Sequence, residues 1–177
     1  GSEGVAFDTL VASGPRSSLP HGVCSDRKIK EGDVVFVDVG ATSNGYRSDI
    51  TRTTTVGKPI MQQAKVYNAV LEAQEEAIKA IRANVSAREV DDVARRVIKE
   101  RGYENRFIHS LGHGVELDIH EPPNLSPNSK DVLNTGNVIT TEPGVYIPHK
   151  WGIRIEDTVL VLKKNAERLT KTPREFV

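Results

Sequence analysis

The stretch over residues 34–56 constrains the fold most, because it predicts a β-hairpin with a defined register. An apolar run at residues 34–39 predicts a strand buried on both faces, and a threonine-rich run at residues 46–56 predicts the returning strand. Asn44 and Gly45 lie between them and both tolerate positive φ, which makes them the strongest short hairpin signal in the sequence. The turn therefore fixes which residues of the two strands face each other.

Two aspartates lie on one face of this hairpin. The register pairs Asp38 with Thr51. It pairs Asp49 with Gly40, so the two carboxylates are diagonal neighbours, with Cβ atoms roughly 7 Å apart or less. Carboxylates this close repel each other unless a proton or a metal lies between them. The hairpin alone is equally compatible with a metal site and with two ordinary solvated strand residues.

Length and charge exclude several classes of protein. The chain has 177 residues, enough for one domain with its own core. Lysine and arginine number 24, as do aspartate and glutamate, so the net charge is zero and we expect neither a nucleic acid nor an anionic membrane as a partner. The single cysteine, Cys24, rules out an intrachain disulfide, and no apolar run is long enough to cross a membrane. We therefore expect a cytoplasmic location.

The rest of the chain predicts two helices followed by a second group of strands. Apolar spacing predicts a helix over residues 60–82 and another that begins at a capping box of Ser86 and Glu89 and ends at Gly102. A loop-rich segment covers residues 107–127, and strands are predicted at 137–141 and 153–162. A strand pair with carboxylates thus precedes the helices and another follows them, which predicts an α+β fold with two similar halves.

The second half carries its own candidate ligands. His113 lies between two glycines, which permit close approach of a ligand, and a neutral imidazole can bind a metal. Glu142 follows a predicted strand at a Pro-Gly bend. Strand alternation places Arg154 and Glu156 on a common face, where a surface ion pair is the simpler interpretation of those two residues taken alone.

Five separate motifs together resemble the ligand signature of the pita-bread metallopeptidases. The motifs are VDVG, SDITRT, GHG, TEPG and RIED, in that order along the chain. The family includes Xaa-Pro dipeptidases (prolidases), aminopeptidase P and methionine aminopeptidase, with creatinase a relative that is not a peptidase. The prolidase and aminopeptidase P branch is most similar, and the similarity covers nearly the whole chain. The residues that match metal ligands are Asp38, Asp49, His113, Glu142 and Glu156.

The resemblance implies a fold and a metal content. The pita-bread (creatinase/aminopeptidase-like) fold is a curved antiparallel sheet with helices on its outer face and two halves related by a pseudo-twofold axis. Its first helices should precede Gly1, so residues 1–177 are expected to form a single, partial catalytic domain. Four carboxylates and one neutral imidazole balance two divalent cations. Oxygen-rich ligation suits manganese, our first choice, and is also compatible with cobalt, iron or zinc.

The resemblance also implies an activity. In the family the residues matching Asp49 and Glu156 bridge both ions, and a hydroxide between the ions attacks a peptide carbonyl. By resemblance, His21 and His120 approach the substrate and the developing negative charge, and Glu121 transfers a proton.

Arg154 either holds a substrate carboxylate or steadies the site. We expect a short peptide substrate with proline after its first residue, and a homodimer. The first hypothesis for the function is an Xaa-Pro dipeptidase. The alternatives are aminopeptidase P and a non-enzymatic pita-bread binding module.

Overall fold

The computed structural model describes residues 1–176, which form short antiparallel strands around two α-helices. The helices are α1 (Met61–Ala80) and α2 (Ala87–Glu100), and short 3₁₀ turns cover Gly14–Ser18 and Glu104–Arg106. The strands are β1 (Gly4–Val5), β2 (Leu10–Ser13), β3 (Val34–Val39), β4 (Ala41–Ser43), β5 (Tyr46–Arg47), β6 (Ile50–Thr55), β7 (Gly112–Gly114), β8 (Glu121–Leu125), β9 (Val138–Thr141), β10 (Gly144–Ile147), β11 (Trp151–Arg154), β12 (Asp157–Val161) and β13 (Ala166–Arg168).

The hairpin predicted for the first half is confirmed. Asn44 and Gly45 have φ values of 51° and 80°, and Asp38 pairs with Thr51 in the β3–β6 ladder. The returning strand is not continuous, because the ladder is interrupted between β5 and β6, where Asp49 lies. The prediction of burial on both faces of β3 is wrong for Val37 and Val39, each 37 % exposed. The helices pack mainly against strands of the second half and leave this face open.

The second half is built on a five-stranded antiparallel sheet in the order β13-β12-β9-β7-β8, with β10 and β11 pairing as a separate hairpin. The predicted loop at residues 107–127 contains β7 and β8, which the sequence hides because one is glycine-rich and the other contains two prolines. The predicted strand at residues 153–162 is two strands, β11 and β12, interrupted at Ile155 and Glu156. The break between β5 and β6 and the break between β11 and β12 both lie beside candidate ligands.

The two helices pack together and against the second half. Val66 and Val70 of α1 and Val90 and Ile98 of α2 are fully buried in one core with strand residues such as Ile139. The helix predicted to start at Ser86 is confirmed, but the capping box is wrong, since the Ser86 side chain makes no capping hydrogen bond. No helix within residues 1–176 is both long and apolar enough to cross a membrane.

The two halves share a plan. In each half one strand ends near a carboxylate and its antiparallel partner begins just after another. In the first half these are Asp38 in β3 and Asp49 before β6, and in the second Glu142 after β9 and Glu156 before β12. The predicted arrangement of strand pair, two helices and strand pair is therefore confirmed.

Candidate metal centre

One cavity of about 510 Å³ collects the side chains that the sequence singled out. It is open to solvent on one side and lies where the two halves meet. The walls include all five candidate ligands and the four other candidate site residues: Asp38, Asp49, His113, Glu142 and Glu156, with His21, His120, Glu121 and Arg154. Residues that are dispersed along the sequence therefore converge on one volume.

The second half places His113 by close backbone contacts. His113 is the middle residue of β7, and the glycines on either side let β7 approach its neighbours. A Cβ atom at Gly112 would collide with the carbonyl oxygen of Thr140, and one at Gly114 would come within 2.5 Å of the carbonyl oxygen of Pro122. The glycines that flank the histidine are thus required by packing against β8 and β9.

The imidazole of His113 lies between two carboxylates. Its Nε2 atom is 3.2 Å from Glu142 Oε1 and 3.8 Å from Asp49 Oδ2. Its Nδ1 atom is 3.0 Å from the carbonyl oxygen of Gly114, so Nδ1 donates and Nε2 is left to face the carboxylates. Atoms of Asp49, His113 and Glu156 that can bind a metal all lie within 4.8 Å of one another.

Three carboxylate oxygens in the cavity have no protein partner. They are Asp38 Oδ1, Asp49 Oδ1 and Glu156 Oε1, all buried and without a hydrogen bond. A buried carboxylate oxygen with no donor is costly, and a divalent cation satisfies several such oxygens at once. The donor set therefore fits the predicted pair of divalent metals.

Burial and mutual repulsion shift the titration of these groups. Burial, together with the neighbouring carboxylates of Asp38 and Glu142, raises the pKa of Asp49 to about 8. Burial, together with the neighbouring carboxylates, also raises the pKa of Glu156 well above its usual value. Cations at this site would remove both penalties by compensating the negative charge.

The pKa of Glu142 shifts in the opposite direction from those of Asp49 and Glu156, because Glu142 contacts His113. Burial by itself raises the pKa of Glu142, but the hydrogen bond with His113 and nearby positive charges outweigh it and bring the pKa to about 2. For His113 burial acts to lower the pKa, and the contact with Glu142 reverses the shift and raises it. The charged forms of the two side chains therefore stabilise each other, and a cation bound here would take the place of the proton between them.

Arg154 is buried, and most N–H donors of its guanidinium are already hydrogen-bonded within the protein. Nη2 donates to Asp38 Oδ2 at 2.5 Å, Nε donates to Thr51 Oγ1 at 3.1 Å, and Nη1 donates to Pro20 O at 2.7 Å and to the Tyr146 hydroxyl at 3.2 Å. Of the two roles that the sequence left open, these contacts favour steadying the site over binding a substrate carboxylate.

The remaining candidate residues line the mouth of the cavity. The ring of His120 lies 4.3 Å from that of His113, measured between centroids, and burial lowers the pKa of His120. His21 is exposed at the end of the turn that follows β2. Glu121 begins β8, and its Oε2 accepts a hydrogen bond from the Asp118 amide at 3.1 Å. None of these three is a buried ion-pair partner, so they are available to a ligand entering the cavity.

Sequence reasoning missed several residues that hold the site in place. Thr51 donates to Glu156 Oε2 at 2.7 Å, and Thr140 donates to Glu142 Oε1 at 3.3 Å. His109 lines the cavity, and its Nε2 is 2.9 Å from the Tyr146 hydroxyl. The alternation of β6 and β9 could have assigned the threonines to the ligand face, whereas nothing local signals the partners of Tyr146.

Comparisons with known proteins agree with this geometry. The sequence model that defines the family described as metallopeptidase family M24 matches residues 1–163 of this chain. A curated relative, the Xaa-Pro dipeptidase of Pyrococcus furiosus, is 55 % identical over all 177 residues, which cover 51 % of its length. The solved structure of prolidase from Pyrococcus furiosus superposes with a TM-score of 0.96 at 56 % identity, covering 98 % of this chain and 52 % of that chain.

A second solved structure is the X-Pro aminopeptidase from Thermotoga maritima. It has a TM-score of 0.97 at 48 % identity, covering 99 % of this chain and 50 % of that chain. The chain thus spans about half the length of the relatives it matches. These superpositions confirm the predicted pita-bread fold. The converging ligands, the shared fold and the family match lead to one conclusion: this chain belongs to metallopeptidase family M24.

Proposed function

We propose that the protein to which this chain belongs is a metal-dependent exopeptidase that hydrolyses Xaa-Pro bonds, most simply an Xaa-Pro dipeptidase. One observation carries the proposal: three buried carboxylate oxygens without partners converge on one cavity with His113 and Glu142. Membership of a metallopeptidase family and 55 % identity to an Xaa-Pro dipeptidase support the substrate class.

The assignment of ligand roles follows the family resemblance. Asp49 and Glu156 would lie between two cations, Asp38 would hold one, and His113 with Glu142 would hold the other, in accord with the 3.2 Å contact of that last pair. When bound, two divalent cations supply an activated water at neutral pH and polarise the peptide carbonyl. Thr51 and Arg154 keep Glu156 and Asp38 oriented through their hydrogen bonds.

Residues at the mouth would act on the substrate itself. His120 and His21 would donate hydrogen bonds from ring nitrogens to the substrate oxygen on which negative charge develops. Glu121 would carry a proton to the proline nitrogen as the bond breaks. A proline nitrogen has no N–H to donate, so a cavity of about 510 Å³ is a better means of holding this substrate than backbone pairing.

Aminopeptidase P is the second candidate. An X-Pro aminopeptidase superposes as well as the dipeptidases do, with a TM-score of 0.97, but the identity to that protein is 48 %, against 55 % and 52 % to two Xaa-Pro dipeptidases. We further propose manganese as the metal, one catalytic domain over residues 1–177, a homodimer and a cytoplasmic location. The oxygen-rich ligand set supports the choice of metal.

The decisive experiment uses the intact gene product. Metal analysis should find two equivalents of divalent metal per chain, and hydrolysis of Ala-Pro should be lost with a chelator and restored with Mn²⁺. Ala-Pro should be cleaved faster than a longer Xaa-Pro-Pro peptide, and the opposite order would assign aminopeptidase P. A folded protein without metal or hydrolysis would favour the non-enzymatic binding module instead.

A further inference from the structure

The dipeptide Thr51–Arg52 holds the candidate ligand Glu156 at three points. The Glu156 amide donates to Thr51 O at 3.1 Å, and the Thr51 hydroxyl donates to Glu156 Oε2 at 2.7 Å. The third contact is from the guanidinium of Arg52, whose Nη1 donates to the Glu156 carbonyl at 2.5 Å. Since Glu156 lies between β11 and β12, outside both strand ladders, these contacts replace the pairing that a strand would give.

All five N–H groups of Arg52 have acceptors. Besides the Glu156 carbonyl, Nη1 donates to Thr51 O at 2.9 Å, and Nη2 donates to Asp157 Oδ1 at 2.6 Å. The remaining two donors reach the C-terminal segment: Nη2 to Thr172 O and Nε to Pro173 O, both at 2.9 Å. Arginine is the one side chain with five donors in a fixed planar fork, so no other residue can reproduce this set.

The C-terminal segment over residues 172–176 is itself attached to helix α1. Arg174 donates to Gln74 Oε1 at 2.8 Å, and the Tyr67 hydroxyl donates to Arg174 O at 3.0 Å. The ring of Phe176 stacks on that of Tyr67 with 4.2 Å between centroids. Arg52 therefore lies between a segment fastened to α1 on one side and a candidate metal ligand on the other.

We propose that Arg52 is a positioning residue for the metal centre, and that through it the segment over residues 172–176 contributes to metal affinity. The inference rests on the proposed function, because it takes Glu156 as a metal ligand. Arg52 does not itself line the cavity, and it acts on the main chain of Glu156 and on the neighbouring Asp157. Without it, the Glu156 carboxylate would lose the backbone constraint that aims its unpartnered Oε1 into the cavity.

The test is a titration of metal-free protein with Co²⁺, followed by the visible absorption of the bound ion. We expect Arg52→Lys to weaken Co²⁺ binding by at least tenfold and to change the absorption spectrum, since outer contacts of metal ligands commonly contribute 10- to 100-fold in affinity. Lysine keeps the charge but presents its donors from one nitrogen. The matched control is Arg27→Lys, which changes a part-buried arginine paired with Asp33 away from the cavity.

The outcomes separate the inference from the proposed function. Equal Co²⁺ affinity in wild type and Arg52→Lys, or an equal loss in Arg27→Lys, would overturn the inference and leave the proposed function standing. Absence of Co²⁺ binding by the wild type would remove both. Phe176→Ala provides a second variant in case Arg52→Lys does not fold, because it loosens the C-terminal segment without touching the cavity. We expect it to weaken binding two- to threefold, and unchanged affinity would count against the C-terminal contribution.

Discussion

Asp38 and Arg154 lie 116 positions apart in the sequence, yet Arg154 Nη2 donates to Asp38 Oδ2 at 2.5 Å. The other oxygen of the carboxylate, Oδ1, has no partner and faces the cavity. One side of Asp38 is thus committed to a permanent positive charge that belongs to the protein. The other side is available to a bound cation.

The pair predicts a large cost for removing the arginine. Arg154→Met should destabilise the metal-free protein by about 3–5 kcal/mol, because it leaves a buried carboxylate uncompensated. Added Mn²⁺ should recover part of the loss by supplying positive charge to Asp38. Chemical unfolding with a chelator and with Mn²⁺ measures both effects. Equal stability of the variant and the wild type in chelator would show that the ion pair contributes nothing.

Metal stoichiometry should distinguish a bridging ligand from a terminal one. Glu156→Gln should bind less than one equivalent of divalent metal, because both cations lose a ligand, whereas His113→Asn should retain about one equivalent. Metal analysis after dialysis gives the counts. Glu167→Gln, an exposed change on β13, should keep two equivalents. Two full equivalents in Glu156→Gln would mean that this residue does not bridge.

The stability of the metal-free protein should fall as the pH rises. The pKa of Asp49 is raised from 3.8 to about 8, so its contribution is complete below pH 4 and is lost as the pH passes through about 8. The slope should reach up to about 1.4 kcal/mol per pH unit for one proton. The contribution of Glu142 to stability has the opposite sign. Its pKa is lowered from 4.5 to about 2, so this contribution is present at neutral pH and is lost only as the pH falls through about 2.

Urea unfolding at several pH values with a chelator measures this slope. Asp49→Asn should make the slope smaller between pH 4 and 8, because no proton is then released from this position, and Glu156 would account for the slope that remains. With Mn²⁺ present the trend should reverse, since metals bind the deprotonated ligands. An unchanged slope in Asp49→Asn would assign the whole effect to other groups.

His120 should matter for the reaction more than for metal binding. His120→Ala should keep two equivalents of metal and lower kcat for Ala-Pro by about 100- to 1000-fold, the usual loss for a donor to developing negative charge. His149→Asn is the control, because His149 is exposed in a turn at a φ of 62°, which asparagine tolerates. Comparable kcat values for the two variants would argue against a role for His120 at the substrate.

Much of the architecture could be predicted from the sequence, because local sequence signals agreed with the fold. Asn44 and Gly45 fixed the hairpin register, and with it the placement of Asp38 opposite Thr51. The apolar stripes of both helices were likewise sufficient to locate them. The candidate ligands came from five motifs read together, since each of those residues alone had an ordinary structural explanation.

What the sequence could not supply depends on contacts between distant segments. The break between β11 and β12 has no local signal, because it arises where Glu156 leaves the sheet to meet Thr51. The strands β7 and β8 escape detection because neither shows a regular apolar alternation. The role of Arg52 depends on carbonyls of a segment about 120 residues away, a relationship that no periodicity encodes.

The long separation between ligands has a consequence for biosynthesis. Thr51, which lies two residues after the candidate ligand Asp49, contacts Glu156 across 105 residues, so the ligand set cannot assemble until Glu156 has left the ribosome. Metal binding to the complete set would thus be a late event, because Asp38 and Asp49 are synthesised well before Glu142 and Glu156. A metal ion would therefore meet its complete set of candidate ligands only on a polypeptide whose synthesis has passed Glu156.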